Sequence, residues 1–152
     1  MRLLLLPAML LAGACSQEAP PSPDIATNKQ LIWDAIKAYH DAGDQGKVPL
    51  MKALLHPEVV MYKGAEDFVR GIPAVEEELE RRAEQIKGEG RKTLVGGESI
   101  QVMGDVAVAT YIASTSRQRG AVSVVFRKSQ GKWLIAHVHD SWPAPAGPAT
   151  PK

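Results

Sequence analysis

The sequence predicts an α+β fold, a cone-shaped half-barrel in which three N-terminal helices pack against a curved, mainly antiparallel sheet. Three observations predict it. Apolar residues recur at three- and four-residue spacings before Lys92 and at every second residue after it, so helices precede sheet. The strand-like runs after Lys92 are separated by short turns, Gly104-Asp105, Arg119-Gly120 and Gln130-Gly131, which make neighbouring strands antiparallel. A long twisted sheet with helices to cover buries both apolar surfaces only by curling around them.

The elements follow in order. Thr27 is a suitable N-cap for a first helix whose apolar residues, Leu31, Ile32, Ala35, Ile36, Ala38, Tyr39 and Ala42, keep helical spacing up to Gly43. Asp44-Gln45-Gly46 turns the chain into a shorter helix, with Pro49 in its first turn and Leu50, Met51, Leu54 and Leu55 on its apolar face. His56-Pro57 is expected to stop it, because a residue before proline disfavours the helical region. Glu58 to Lys63 reads as a strand centred on Val59-Val60-Met61-Tyr62, and Phe68 to Gly71 as a short second one. A third helix runs from Pro73 to about Ile86, with Val75, Leu79, Arg82-Ala83 and Ile86 on one side, a Glu/Arg-rich face opposite, and Gly88 and Gly90 at its end. Four strands remain: Leu94 to Met103, Val106 to Ser116, Ala121 to Lys128 and Trp133 to Trp142.

Residues 26–142 are expected to hold this one domain. Residues 15–25 and 143–152 are proline-rich and poor in large apolar side chains, so the first reads as a tether and the second as a disordered tail. Formal net charge is +1 and no basic stripe is present, which argues against a nucleic-acid partner. Residues 1–14 combine a basic start, an apolar run from Leu3 to Leu11 too short to span a bilayer, and the small residues Ala12-Gly13-Ala14, the parts of a secretory signal. That run ends on Cys15, the only cysteine of the chain. The arrangement resembles a bacterial lipoprotein signal, although Leu11 stands one place further from the cysteine than the usual leucine. The resemblance implies cleavage before Cys15, lipidation of its thiol and membrane attachment by the lipid. Ser16 in the next position, rather than Asp, implies the periplasmic face of the outer membrane. Lipidation also accounts for an unpaired thiol in an oxidising compartment.

Several stretches carry a second resemblance: Ala42-Gly43-Asp44, Leu54-Leu55-His56-Pro57-Glu58-Val59-Val60, Arg70-Gly71-Ile72-Pro73-Ala74-Val75, and above all Gly131-Lys132-Trp133-Leu134-Ile135-Ala136-His137-Val138-His139-Asp140-Ser141. Together they resemble the NTF2-like, or SnoaL-like, superfamily, in the branch that includes the association domain of calmodulin-dependent kinase. The superfamily hosts dehydratases, isomerases, cyclases, epoxide hydrolases and assembly domains, so the likeness implies a fold and no particular activity. Where isomerase-like members carry a basic carboxylate on the first strand and a tyrosine on the first helix, this chain has Tyr62 and Ile36. The carboxylate-binding arginines of the kinase domains are replaced by Ala113 and Val124. The resemblance therefore supports neither of those functions.

What remains is a set of aromatic and imidazole groups. Strict alternation along the last strand places Trp133, Ile135, His137, His139 and Ser141 on one face, and Leu134, Ala136, Val138, Asp140 and Trp142 on the other. Tyr39, Tyr62, His137 and His139 are the candidate pocket residues: the first helix and first strand flank the cavity in the resembling family, and the two histidines are the polar groups that share a face of the last strand. Trp33, His40, Tyr111 and Trp142 are further aromatic groups, equally suited to filling a core. Two imidazoles one residue apart could share an ion, but zinc would want a third ligand, such as His56 or Asp67, that nothing in the sequence brings near. No cofactor and no metal centre are expected. The reading is a lipid-anchored protein that binds a small, mostly apolar ligand or serves as a scaffold. The other reading is an enzyme using the last-strand histidines as acid and base. Continuous apolar content from Val102 to Ile112 and from Ala121 to Phe126 predicts strands covered on both faces, hence a homodimer through the sheet.

Overall fold

A computed structural model describes residues 23–62 and 67–142; the leader, Cys15, most of the tether and the tail lie outside the described residues. Helix α1 (Pro23–Asp44) is followed by α2 (Val48–Lys52), strands β1 (Leu55–Tyr62) and β2 (Phe68–Arg70), helix α3 (Ile72–Gln85) and strands β3 (Leu94–Met103), β4 (Val106–Ser114), β5 (Arg119–Ser129) and β6 (Lys132–Ser141). The strands form one six-stranded sheet in the order β2-β1-β6-β5-β4-β3. All neighbours are antiparallel except β1 and β6, which run parallel because the chain returns to β1 only after the four-strand meander is complete.

The core lies between the helices and one face of the sheet. Ile32 and Ile36 of α1 and Val75 and Leu79 of α3 meet Val59 and Met61 of β1, Phe126 of β5 and Ile135 of β6, all of them buried. On β4 and β5 burial alternates as the period of two requires: Ala107, Ala109, Tyr111 and Ala113, then Val122, Val124 and Phe126, point inward. Val108, Ile112 and Val125 alternate with them on the outer face and are half-buried. One buried polar residue ties helix to sheet: Asn28 Oδ1 accepts the Trp133 indole N–H at 2.9 Å, while its Nδ2 donates to the Asp24 carbonyl. Leaving that indole N–H unpaired would cost about 1–3 kcal/mol.

Four sequence expectations are corrected. Helix α1 begins at Pro23, so Thr27 lies within it and the end of the expected tether is helical. His56-Pro57 does not precede the first strand but lies inside β1, where the pairing with β6 is irregular between Leu55 and Val60. A proline costs no ladder hydrogen bond in such an interruption. The turn between β4 and β5 sits at Thr115–Gln118 rather than at Arg119-Gly120: Thr115 Oγ1 accepts the amides of Arg117 and Gln118, and the Thr115 amide donates to the Gln118 carbonyl at 2.8 Å. Finally, alternation along β6 is not strict. Val125 pairs with His137 but Phe126 with Ile135, so Ala136 is an extra residue and the faces exchange there.

Candidate functional site

The concave side of the sheet and the helices enclose a cavity of about 550 Å³. Helical spacing aims Ile36, Tyr39, His40, Gly43 and Asp44 of α1 toward it, and α3 adds Leu79, Arg82 and Ala83. The sheet contributes Tyr111, Val122, Val124, Ile135, Val138 and Asp140, with Trp142 just beyond β6. Its apolar walls are those of the core itself, and its polar groups gather into two clusters.

The first cluster is an imidazole and a phenol. His40 Nε2 lies 2.8 Å from the Tyr111 hydroxyl, with the two rings edge to face at 5.6 Å. Trp33 packs edge-on against Tyr111 at 5.9 Å, and Tyr39 lies edge-on to His40 at the same separation. Burial dominates their protonation: it lowers His40 to about 4 and pushes both Tyr39 and Tyr111 well above the usual phenol value. At neutral pH the cluster is therefore uncharged, with one ring nitrogen and two phenol oxygens able to donate or accept.

The second cluster is ionic. Asp140 Oδ2 accepts the Trp142 indole N–H at 3.1 Å and faces Arg82 Nη1 at 3.5 Å. Arg82 also donates to Glu78 Oε1 at 2.6 Å and to the Tyr62 carbonyl at 3.1 Å. Glu78 is buried, and hydrogen bonds from Arg81 and Arg82, outweighing its burial, hold it down to about 2. Asp44 accepts from the Thr93 amide and hydroxyl, with Arg91 Nε 3.6 Å away.

Of the four residues favoured by the sequence, Tyr39 lines the cavity and His139 touches its edge; Tyr62 and His137 do not line it. The bulge at Ala136 is the reason. Past it, Val138 and Asp140 turn inward opposite Val124 and Val122, while His137 and His139 turn to the outer face opposite Val125 and Ser123. There they meet Tyr62, whose ring lies 5.6 Å from His137 and 5.0 Å from His139, with Phe68 on its other side at 5.9 Å. Burial and the neighbouring His139 lower the proton affinity of His137. Asp140 was the residue that alternation concealed, whereas Arg82 was placed on the inward side of α3 by helical spacing, and His40 and Tyr111 were visible as aromatic groups of α1 and β4. Among the described residues no group of three or more His, Cys, Asp or Glu side chains is placed to hold a metal ion.

The family model for a SnoaL-like domain matches residues 32–145. No curated protein matches the sequence significantly. Among solved structures, an NTF2-like protein of unknown function from Pseudomonas putida KT2440 superposes with a TM-score of 0.71 at 17% identity, covering 78% of this chain and 88% of that one. A candidate dehydratase of the NTF2-like family from Streptomyces avermitilis gives 0.68 at 16% identity, over 76% and 96%. A candidate ketosteroid isomerase from Shewanella frigidimarina NCIMB 400 gives 0.61 at 23% identity, over 71% and 92%. At these identities the likeness is one of fold.

Proposed function

Because this chain belongs to the SnoaL-like domain family, we propose that it is an envelope lipoprotein whose domain binds a small, mostly apolar molecule in its cone. The observation that carries the reading is the cavity: about 550 Å³, within the range of small-molecule sites, with core residues for walls and an uncharged His40–Tyr111 pair. Such a ligand buries apolar surface against Ile36, Val122 and Val138 and spends one polar group on His40 or Tyr111. The leader ending on Cys15 supports membrane attachment, with the outer membrane facing the periplasm as the site. The half-buried Val108, Ile112 and Val125 on the outer sheet face support a homodimer.

A second reading is favoured by one observation. An imidazole hydrogen-bonded to a phenol, with a carboxylate on the same cavity wall, is a set able to move protons, and two fold neighbours are candidate dehydratase and isomerase. The pair His40–Tyr111, rather than the histidines of β6, is then the acid–base couple.

Native mass spectrometry of the full chain purified from its own envelope tests both readings. The expected result is a dimer carrying one small molecule per subunit, with His40→Gln and Tyr111→Phe each reducing occupancy while the fold is retained. Conversion of that molecule by the wild-type protein into an isomer, or a product lighter by one water, would decide for the enzyme. Full occupancy in both variants would overturn the cavity as the binding site, and an empty wild-type monomer would overturn the ligand and dimer readings together.

A further inference from the structure

The outer face of β6 holds a feature that the cavity does not use. The chain has four histidines, and two are engaged: His40 with the Tyr111 hydroxyl, and His56 Nδ1 as acceptor of the Glu58 amide at 3.2 Å. His137 and His139 differ. Among the described residues no hydrogen bond or ion pair engages either imidazole, and the Tyr62 ring lies beside both.

The bulge makes this a chelating arrangement. Without the extra residue at Ala136, the positions of His137 and His139 would continue the inward face of Ile135, and two imidazoles would enter an apolar core. With it they emerge together on the outer face, two residues apart on a regular strand and about 6.6 Å apart along it. Imidazoles at that spacing can lean toward one another and place a nitrogen each on one ion. Tyr62 flanks both rings and limits the rotamers they can take.

We propose that His137 and His139 form a two-nitrogen chelate for a divalent copper ion on the outer face of the sheet, with water completing the coordination. The donor count selects the metal class. Zinc sites take three or four protein ligands, and no third side chain is in place among the described residues. Copper(II) stands highest in affinity for nitrogen donors among the divalent first-row ions and accepts a planar set of nitrogen and oxygen ligands. Calcium and magnesium are excluded because they require oxygen donors. His139 also touches the edge of the cavity, but the copper site does not depend on the ligand-binding reading.

The test is titration of the untagged full chain with copper(II) chloride, followed by calorimetry and electron paramagnetic resonance. Saturable binding with a two-nitrogen equatorial signature is expected in the wild type. His137→Ala and His139→Ala should each weaken it about tenfold or more, and the double variant should lose the signature. His56→Ala should bind as the wild type does. Melting curves of the variants establish that they are folded, and His137→Gln and His139→Gln serve if an alanine variant is not. Equal binding by wild type and double variant, or no saturable binding by the wild type, overturns the site.

Discussion

At the scale of single residues, His40 sets how the protein responds to acid. Its side chain is held neutral by burial, with a folded-state value of about 4 against 6.5 for a free imidazole. The unfolded chain therefore takes up a proton that the folded chain refuses throughout that interval, and stability falls as pH drops from 6.5 toward 4, levelling below it. The loss from this group is about 3 kcal/mol. Glu78 acts in a different window: its folded-state value is depressed from 4.5 to about 2, so its contribution is complete above pH 4.5 and is lost as pH falls through 2. The two are separable by substitution. His40→Gln should flatten the stability profile between pH 6.5 and 4 and leave the steeper limb below it, as read by denaturant unfolding at half-unit steps of pH. An unchanged slope in that interval would mean that His40 is solvated in the folded state.

At the scale of elements, the join between β5 and β6 sets the shape of the cavity mouth. Gly120 lies inside β5, and a Cβ there would stand 2.6 Å from the Ser141 carbonyl oxygen and 3.0 Å from two atoms of the Trp142 ring. Backbone cannot yield as a flexible side chain would, so Gly120→Ala must spread the strands or displace Trp142. The expected cost is about 1–3 kcal/mol, read as a lower melting temperature and a shift in tryptophan emission; unchanged melting would show that the two strands can part freely. The same join marks the limit of what the sequence discloses. Alternation and turn residues located β3 to within its observed ends and β4, β5 and β6 to within a few residues. Helix spacing found α1 and α3 in the same way, because each of these patterns is a local response to one buried face. The bulge at Ala136 is not local. It depends on how β6 meets β5 on one side and β1 on the other, and alanine carries no signal for it. One unseen residue therefore turned His137 away from the cavity, left His139 only at its edge and concealed Asp140. Tyr39 kept its expected place, because it lies on a helix whose phase nothing interrupts. Gly120 misled in the opposite direction: it reads as a turn glycine, but a close strand contact is what excludes a side chain there.

At the scale of the whole molecule, no described helix is long and apolar enough to cross a membrane, and the envelope location proposed above rests on the leader and Cys15. A lipid on Cys15 would supply attachment without adding structure to the domain. Each buried methylene of an acyl chain contributes about 0.8 kcal/mol to membrane attachment, so several chains on one cysteine hold a protein of this size firmly, where a single chain gives only marginal binding. Under the proposed attachment, the proline-rich sequence between Cys15 and α1 would set the reach of the cone above the bilayer. Two chains paired through their sheets would carry two such anchors, and release of either would leave the other in place. Cys15→Ser removes the only thiol of the chain, and with it the attachment point, while leaving every residue of the domain untouched. The variant should move from the membrane fraction to the soluble periplasmic fraction, or accumulate as the uncleaved precursor, with a domain melting temperature equal to that of the wild type. Membrane attachment that persists at the wild-type level in a Cys15→Ser chain shown by mass to have lost its leader would show that contacts of the domain, not a lipid on the cysteine, hold the protein to its membrane.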